Sequence, residues 1–161
     1  MNHPVIKIHV KNFGTMTAEL YPEMAPLTVA NFLSLIEKKF FDGLIFHRVI
    51  RGFMLQGGGY TPDMEHKECD AIKGEFLMNG VPNSLSHERG VISMARAQNP
   101  NSASSQFFIV HKDSTFLDGQ YAAFGRVTEG MDAVDEIAET ATDMNDRPRS
   151  DMKMKKVYIE E

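Results

Sequence analysis

The sequence predicts a mainly β fold, a closed antiparallel β-barrel whose ends are capped by two α-helices. Three observations lead there. Short apolar runs recur between turn residues along most of the chain, two stretches switch to helical periodicity, and the last run is built to pair with the first. Val5 to Val10 is rich in β-branched residues, Asn12-Phe13-Gly14 supplies a turn, and Thr15 to Leu20 alternates as a returning strand, so the chain opens on a hairpin. From Pro26 to about Phe40 the period changes, placing Val29, Phe32, Leu33, Ile36 and Phe40 on one helical face. Pro26 suits the first turn, where its missing N–H is not needed. A second helix runs from about Met131 to Glu139, with Met131, Val134, Ile137 and Ala138 sharing a face and Asp132 in the first turn, where the helix dipole favours negative charge. Between the helices, Leu44 to Ile50, Phe53 to Gln56, Val91 to Ala95, Gln106 to Val110 and Ala122 to Val127 read as strands. Lys155 to Ile159 is the closing strand.

Size and charge limit the function. The 161 residues suit a single domain spanning 1–161, with no repeat or linker. A net charge of -5 and no Lys/Arg run argue against nucleic acid as a partner. The start of the chain alternates and carries no long apolar stretch, so no membrane association is expected and the default location is cytoplasmic. Cys69, the only cysteine, has no disulfide partner within the chain, and Glu68 and Asp70 beside it disfavour a thiolate nucleophile. The six histidines show no metal-ligand spacing. A solvated loop is the reading preferred for His66 with Glu65, Glu68 and Cys69. Gly57-Gly58-Gly59 lacks the Lys-Ser/Thr of a phosphate loop and reads as a tight strand exit. Ser104 and Ser105 sit in no nucleophile elbow.

Three blocks carry the chemistry. In Phe46 to Gly58, Arg48 and Gln56 punctuate an apolar run. Alternation puts Phe46 with Arg48 and Met54 with Gln56, and Gly52 lets the two segments converge on one groove. The competing reading is an arginine at a sheet edge with its stem packed on apolar neighbours. Ser93-Met94-Ala95-Arg96-Ala97 leads through a small-polar loop into Gln106-Phe107-Phe108. Thr115 to Gly125 joins an apolar ledge to a strand through the Asp118-Gly119 turn signal.

FHRVIRGFMLQGG, SMARA…SSQFFI and TFLDGQYAAFGRV, in this order, closely resemble the signature segments of the cyclophilin family. AELYPEMAPLTVANFLSL and GMDAVDEI fit its flanking helices, and the IKGEF segment at Ile72 to Phe76 looks like bacterial members. The resemblance implies an eight-stranded antiparallel barrel, a proline groove on its outer face, and peptidyl-prolyl cis–trans isomerase activity assisting protein folding, with no metal or cofactor. By position it makes Arg48 the catalytic arginine, and Phe53, Met54, Phe108 and Leu117 the proline pocket. Gln56 and Gln106 would position substrate and Arg48, while Ala95 and the backbone of Arg96 would line the peptide path, the Arg96 side chain being solvated. The partners implied are proline-containing peptides and unfolded or flexible protein segments, with the chain acting as a monomer. Two positions depart from the family: Phe116 stands where tryptophan is common and Tyr121 where histidine is common. Phe116 keeps an aromatic wall without an indole N–H, so weakened cyclosporin binding with isomerase activity retained is expected, and Tyr121 still offers the substrate a hydroxyl and an aromatic face. A proline-motif binding or chaperone module with incidental turnover is the alternative, which the intact Arg48 disfavours.

Overall fold

The computed structural model describes residues 3–160. Eight strands form one antiparallel sheet in the order β3-β4-β6-β5-β7-β2-β1-β8. They are β1 (Val5–Val10), β2 (Gly14–Leu20), β3 (Arg48–Ile50), β4 (Met54–Gly57), β5 (Val91–Met94), β6 (Phe107–Val110), β7 (Ala123–Glu129) and β8 (Met154–Ile159). Two helices join them, α1 (Pro26–Glu37) and α2 (Met131–Ala138). The opening hairpin and the pairing of β8 with β1 are as the sequence predicts, with Val5 opposite Glu19 and Ile8 opposite Val157. No helix among the described residues is long and apolar enough to cross a membrane.

The closed barrel is not what forms. The sheet stays an open half-barrel, because no ladder joins β3 to β8. Only Arg48–Ile50 of the expected Leu44 to Ile50 run is strand. Ahead of it the edges meet through one bridge, Ile45 with Lys153, and through Phe46 N–H donating to Met152 O at 2.9 Å. Phe41, Leu44, Ile45 and Phe46 are all buried in consecutive or near-consecutive positions, and a half-buried strand, with its alternating faces, cannot provide that. Phe46 therefore enters the core while Arg48 is exposed, so the two do not share a face.

The core explains the helices. Phe32 of α1 lies 4.8 Å from Phe41, 5.2 Å from Phe107 and 5.0 Å from Phe124, ring centroid to centroid, so the helix is held by aromatic packing. Leu35 is buried beside Ile36, while Leu33, expected on that face, is only half-buried. α1 ends at Glu37 rather than near Phe40, because Lys39 takes a positive φ of 58° that turns Phe40 back into the core. Ala25 at the start of α1 offers no side-chain cap. Glu75, from the IKGEF segment, supplies one from a distance. Its Oε1 accepts from Thr28 N–H at 2.6 Å and the Thr28 hydroxyl at 2.7 Å, and its Oε2 accepts from Leu27 N–H at 3.1 Å. Only 3% of Glu75 is exposed, so these bonds are made where water cannot replace them.

Both faces of the central strands are covered, which decides where a site can lie. On β6, Phe107 and Ile109 point into the main core, while Phe108 and Val110 join a second cluster with Met54, Val91, Leu117 and Ala123 on the outer face. Glu75→Gln keeps the shape but removes the charge-assisted cap. It is expected to lower unfolding free energy by about 2 kcal/mol in urea titration, on the order expected for a buried hydrogen bond to a charged group.

Candidate functional site

The outer-face cluster opens into a cavity of about 140 Å³ lined by Arg48, Phe53, Met54, Gln56, Ala95, Arg96, Phe108, Leu117 and Tyr121. Strand pairing assembles it. Arg48 stands opposite Gln56 and Gln56 opposite Phe108, so three adjacent strands bring these side chains to one level. The turn at Gly52, with φ of 80°, folds β4 back onto β3. Met54 and Gln56 share the groove face as alternation requires.

No carboxylate among the described residues pairs with Arg48, whereas Arg51 pairs with Glu139, Arg89 with Asp135, Arg126 with Glu88 and Arg147 with Asp151. Among the described residues this guanidinium thus has no counter-charge, and it borders a wall of apolar side chains from Phe53, Met54, Phe108 and Leu117. Gln56 Nε2 donates to Gln106 Oε1 at 3.0 Å, which fixes both amides. Gln106 itself lines a neighbouring cavity of about 360 Å³ that shares Gln56, Ala95 and Arg96 with the first, so the groove runs on past the pocket.

Two expected residues stand differently. Phe116 is 67% exposed and lies outside the cavity lining, its ring 5.7 Å from Phe53. Arg96 is not a solvated side chain. Its guanidinium lies 4.9 Å over the Phe76 ring and 4.7 Å over the Tyr121 ring, and it donates to the carbonyls of Gln120, Ala97 and Gln98. Tyr121 is thereby held between Arg96 and Phe108, 5.8 Å from the latter.

A family model described as cyclophilin type peptidyl-prolyl cis-trans isomerase/CLD matches residues 5–159. The chain belongs to the cyclophilin family. The peptidyl-prolyl cis-trans isomerase of Streptomyces antibioticus is 43% identical over 155 residues, covering 91% of this chain and 90% of that protein. Peptidyl-prolyl cis-trans isomerase B of Escherichia coli is 40% identical, covering 93% of this chain and 96% of that one. A cyclophilin-type isomerase of Cryptosporidium parvum superposes with a TM-score of 0.85 at 27% identity, covering 99% of both chains. A second structure of it, in the presence of the dipeptide Ala-Pro, gives 0.83 at 28% identity, covering 98% of this chain and 99% of that one. Peptidyl-prolyl cis–trans isomerisation is the activity of this cyclophilin.

Several residues around the groove carry no functional reading from the sequence. His87 is buried, with Nδ1 2.9 Å from Asp118 Oδ1 and Nε2 2.9 Å from Ser93 Oγ. Burial holds its ring below the ordinary imidazole range, against the opposite pull of Asp118. Burial pushes Asp118 up, but bonds from Ser86 and His87 outweigh it and hold the carboxyl below its usual value. Sequence inspection finds Asp118 only as a turn former, because the partner that makes it structural lies 31 residues away. His47, next to Arg48, packs against Tyr60 with the rings tilted by 57° and their centroids 4.6 Å apart, and its Nδ1 is buried without a partner among the described residues. Burial, followed by the charges of Arg48 and Arg147, pushes it down to about 4.

The sign of that shift sets a pH dependence. His47 in the unfolded chain takes up a proton near 6.5, but in the fold only near 4, so falling pH favours unfolding across that window. Stability is expected to decline as pH drops from about 6.5 toward 4, and His47→Phe should flatten the decline, read from urea midpoints across that range.

Proposed function

We propose that Arg48 is the catalytic residue of the isomerase and that Phe53, Met54, Phe108 and Leu117 hold the substrate's proline ring. What carries this reading is the contrast between the two arginines that line the cavity. Among the described residues, Arg96 is bonded to carbonyls, while Arg48 has neither a carboxylate nor a carbonyl partner and borders the apolar side chains of Phe53, Met54, Phe108 and Leu117. Rotation about an X–Pro bond breaks amide resonance, a barrier of ~20 kcal/mol. As the bond twists, the prolyl nitrogen becomes pyramidal and regains a lone pair. Arg48 donates to that lone pair only in the twisted state, so its hydrogen bond lowers the barrier without tightening the ground state. Arginine fits because it stays charged and presents a rigid fork of donors. The pocket anchors the ring while the carbonyl side turns, and it excludes water that would weaken the bond. No proton or covalent bond to the enzyme has to be exchanged.

Gln56 and Gln106, clasped to each other, would meet the peptide backbone beside Arg48. Ala95 and Arg96 would border the chain as it passes to the second cavity. Tyr121 and Phe116 would flank the proline-facing side, Phe116 from its exposed position next to Phe53. The substrates proposed are proline-containing, flexible or unfolded segments of cytoplasmic proteins, taken up by a monomer to assist folding. The Ala-Pro dipeptide in the Cryptosporidium parvum structure is in keeping with such substrates.

Exchange NMR on an X–Pro tetrapeptide tests the assignment. Wild type is expected to accelerate exchange, and folded Arg48→Ala to lose about 100-fold or more of that, the scale set by removing one transition-state donor. A folded wild type that binds the peptide without accelerating exchange would instead make the groove a binding module. Cyclosporin is expected to bind weakly, with a Kd above about 1 μM, and Phe116→Trp to tighten it about tenfold by restoring one N–H donor, as titration calorimetry would read.

A further inference from the structure

His87 lies outside the cavity lining, yet it joins two walls of that cavity. Ser114 N–H donates to His87 O at 2.8 Å, and His87 N–H donates to Asp118 Oδ1 at 2.6 Å. The 3-10 turn Thr115–Leu117 is thus bracketed on both sides by one residue. Asp118 Oδ1 also faces His87 Nδ1 at 2.9 Å, while its Oδ2 accepts from the Ser86 hydroxyl at 2.6 Å. An ionised carboxylate only accepts, so Nδ1 carries the ring proton. In the neutral ring Nε2 is then the acceptor, and Ser93 Oγ on β5 donates to it at 2.9 Å. The flat face of the ring stacks on Phe108 of β6, centroids 6.0 Å apart at 18°.

This Ser93–His87–Asp118 chain has the connectivity of a hydrolase triad, but Ser93 is 0% exposed, so no carbonyl reaches its oxygen. Its consequence is positional. Leu117 and Phe108 both line the pocket, and the imidazole is bonded to the turn that carries one and stacked on the other. We infer that His87 is a positioning residue of the isomerase, setting the gap between Phe108 and Leu117 and hence the grip on the proline ring. This rests on the cavity being the proline pocket. Groups facing the ring are Asp118 and Ser86 at the turn, Ser93 on β5, Phe108 on β6 and Tyr121 ahead of β7, 6.5 Å away. Asp118 and Tyr121 are the titratable ones. A looser pocket holds ground and twisted states equally less well, so the effect falls on KM and spares kcat.

The experiment compares His87→Ala, His87→Asn, Asp118→Asn, Phe108→Ala and Glu75→Gln in the X–Pro peptide assay. His87→Ala and Asp118→Asn are expected to raise KM about tenfold with kcat within about twofold. His87→Asn, whose amide N–H can take the place of Nδ1–H, is expected to recover part of the loss. Glu75→Gln, destabilised elsewhere, should keep the wild-type KM. Folded His87→Ala with a wild-type KM, or a loss confined to kcat, overturns the inference. Unchanged KM in Phe108→Ala would instead overturn the pocket reading itself. Should His87→Ala not fold, imidazole nitrogen NMR of the wild type decides. An Nδ1–H tautomer whose resonances move on saturation with peptide supports the role, and an Nε2–H ring indifferent to peptide overturns it.

Discussion

The groove depends on one constraint, the burial of the central strands on both faces. Adjacent phenylalanines on β6 do opposite jobs because side chains alternate across a strand. Phe107 meets Phe32, Phe41 and Phe46 edge-on in the main core, while Phe108 floors the outer cavity. A one-residue slip in register would exchange them and fill the groove from inside. Gly57, directly opposite Phe107, helps hold the register. A Cβ there would lie 2.7 Å from Ile45 O and 2.9 Å from the Phe46 ring, so β4 comes this close to the 45–46 segment only with glycine.

Charge is arranged around the same cavity by the neighbours each arginine finds. Arg89 is bidentate to Asp135 at 2.7 and 2.8 Å, and His111 adds a contact to that carboxylate at 3.1 Å, tying α2 to the sheet. Arg96 is consumed by carbonyls and two aromatic rings, where its planar cation stiffens the path beside Tyr121. Arg48 meets no carboxylate among the described residues, and its partner in the ladder is an amide, Gln56, already bonded elsewhere. A charge kept without a partner beside an apolar wall is available to a lone pair that appears only during the reaction.

Much of this was legible in the chain. Alternation located β1 and β2, helical periodicity located α1 and α2, and the order of three motif blocks brought Arg48, Phe53, Met54, Gln56, Phe108 and Leu117 together as candidates. Alternation and helical periodicity are local signals, carried by residues two to four positions apart, whereas the candidate set came from the resemblance of the motif blocks to the cyclophilin family. The closure of the barrel was not local. Whether Leu44 to Phe46 pairs as a strand or inserts into the core is settled by competition with β8 and α1, and core insertion of Phe41 and Phe46 wins because four aromatic rings meet there.

The sequence by itself determined a mainly β chain with two helices, its motif order, and the residue types that isomerase chemistry needs. Only the tertiary structure decided that the sheet stays open, that Arg96 is locked rather than solvated, that Glu75 caps a helix 47 residues away, and that His87 and Asp118 fasten the pocket wall. The reason is common to all four. A polar or charged side chain acquires its role from the partner it meets on burial, and partners far apart in sequence become neighbours only once the sheet has folded.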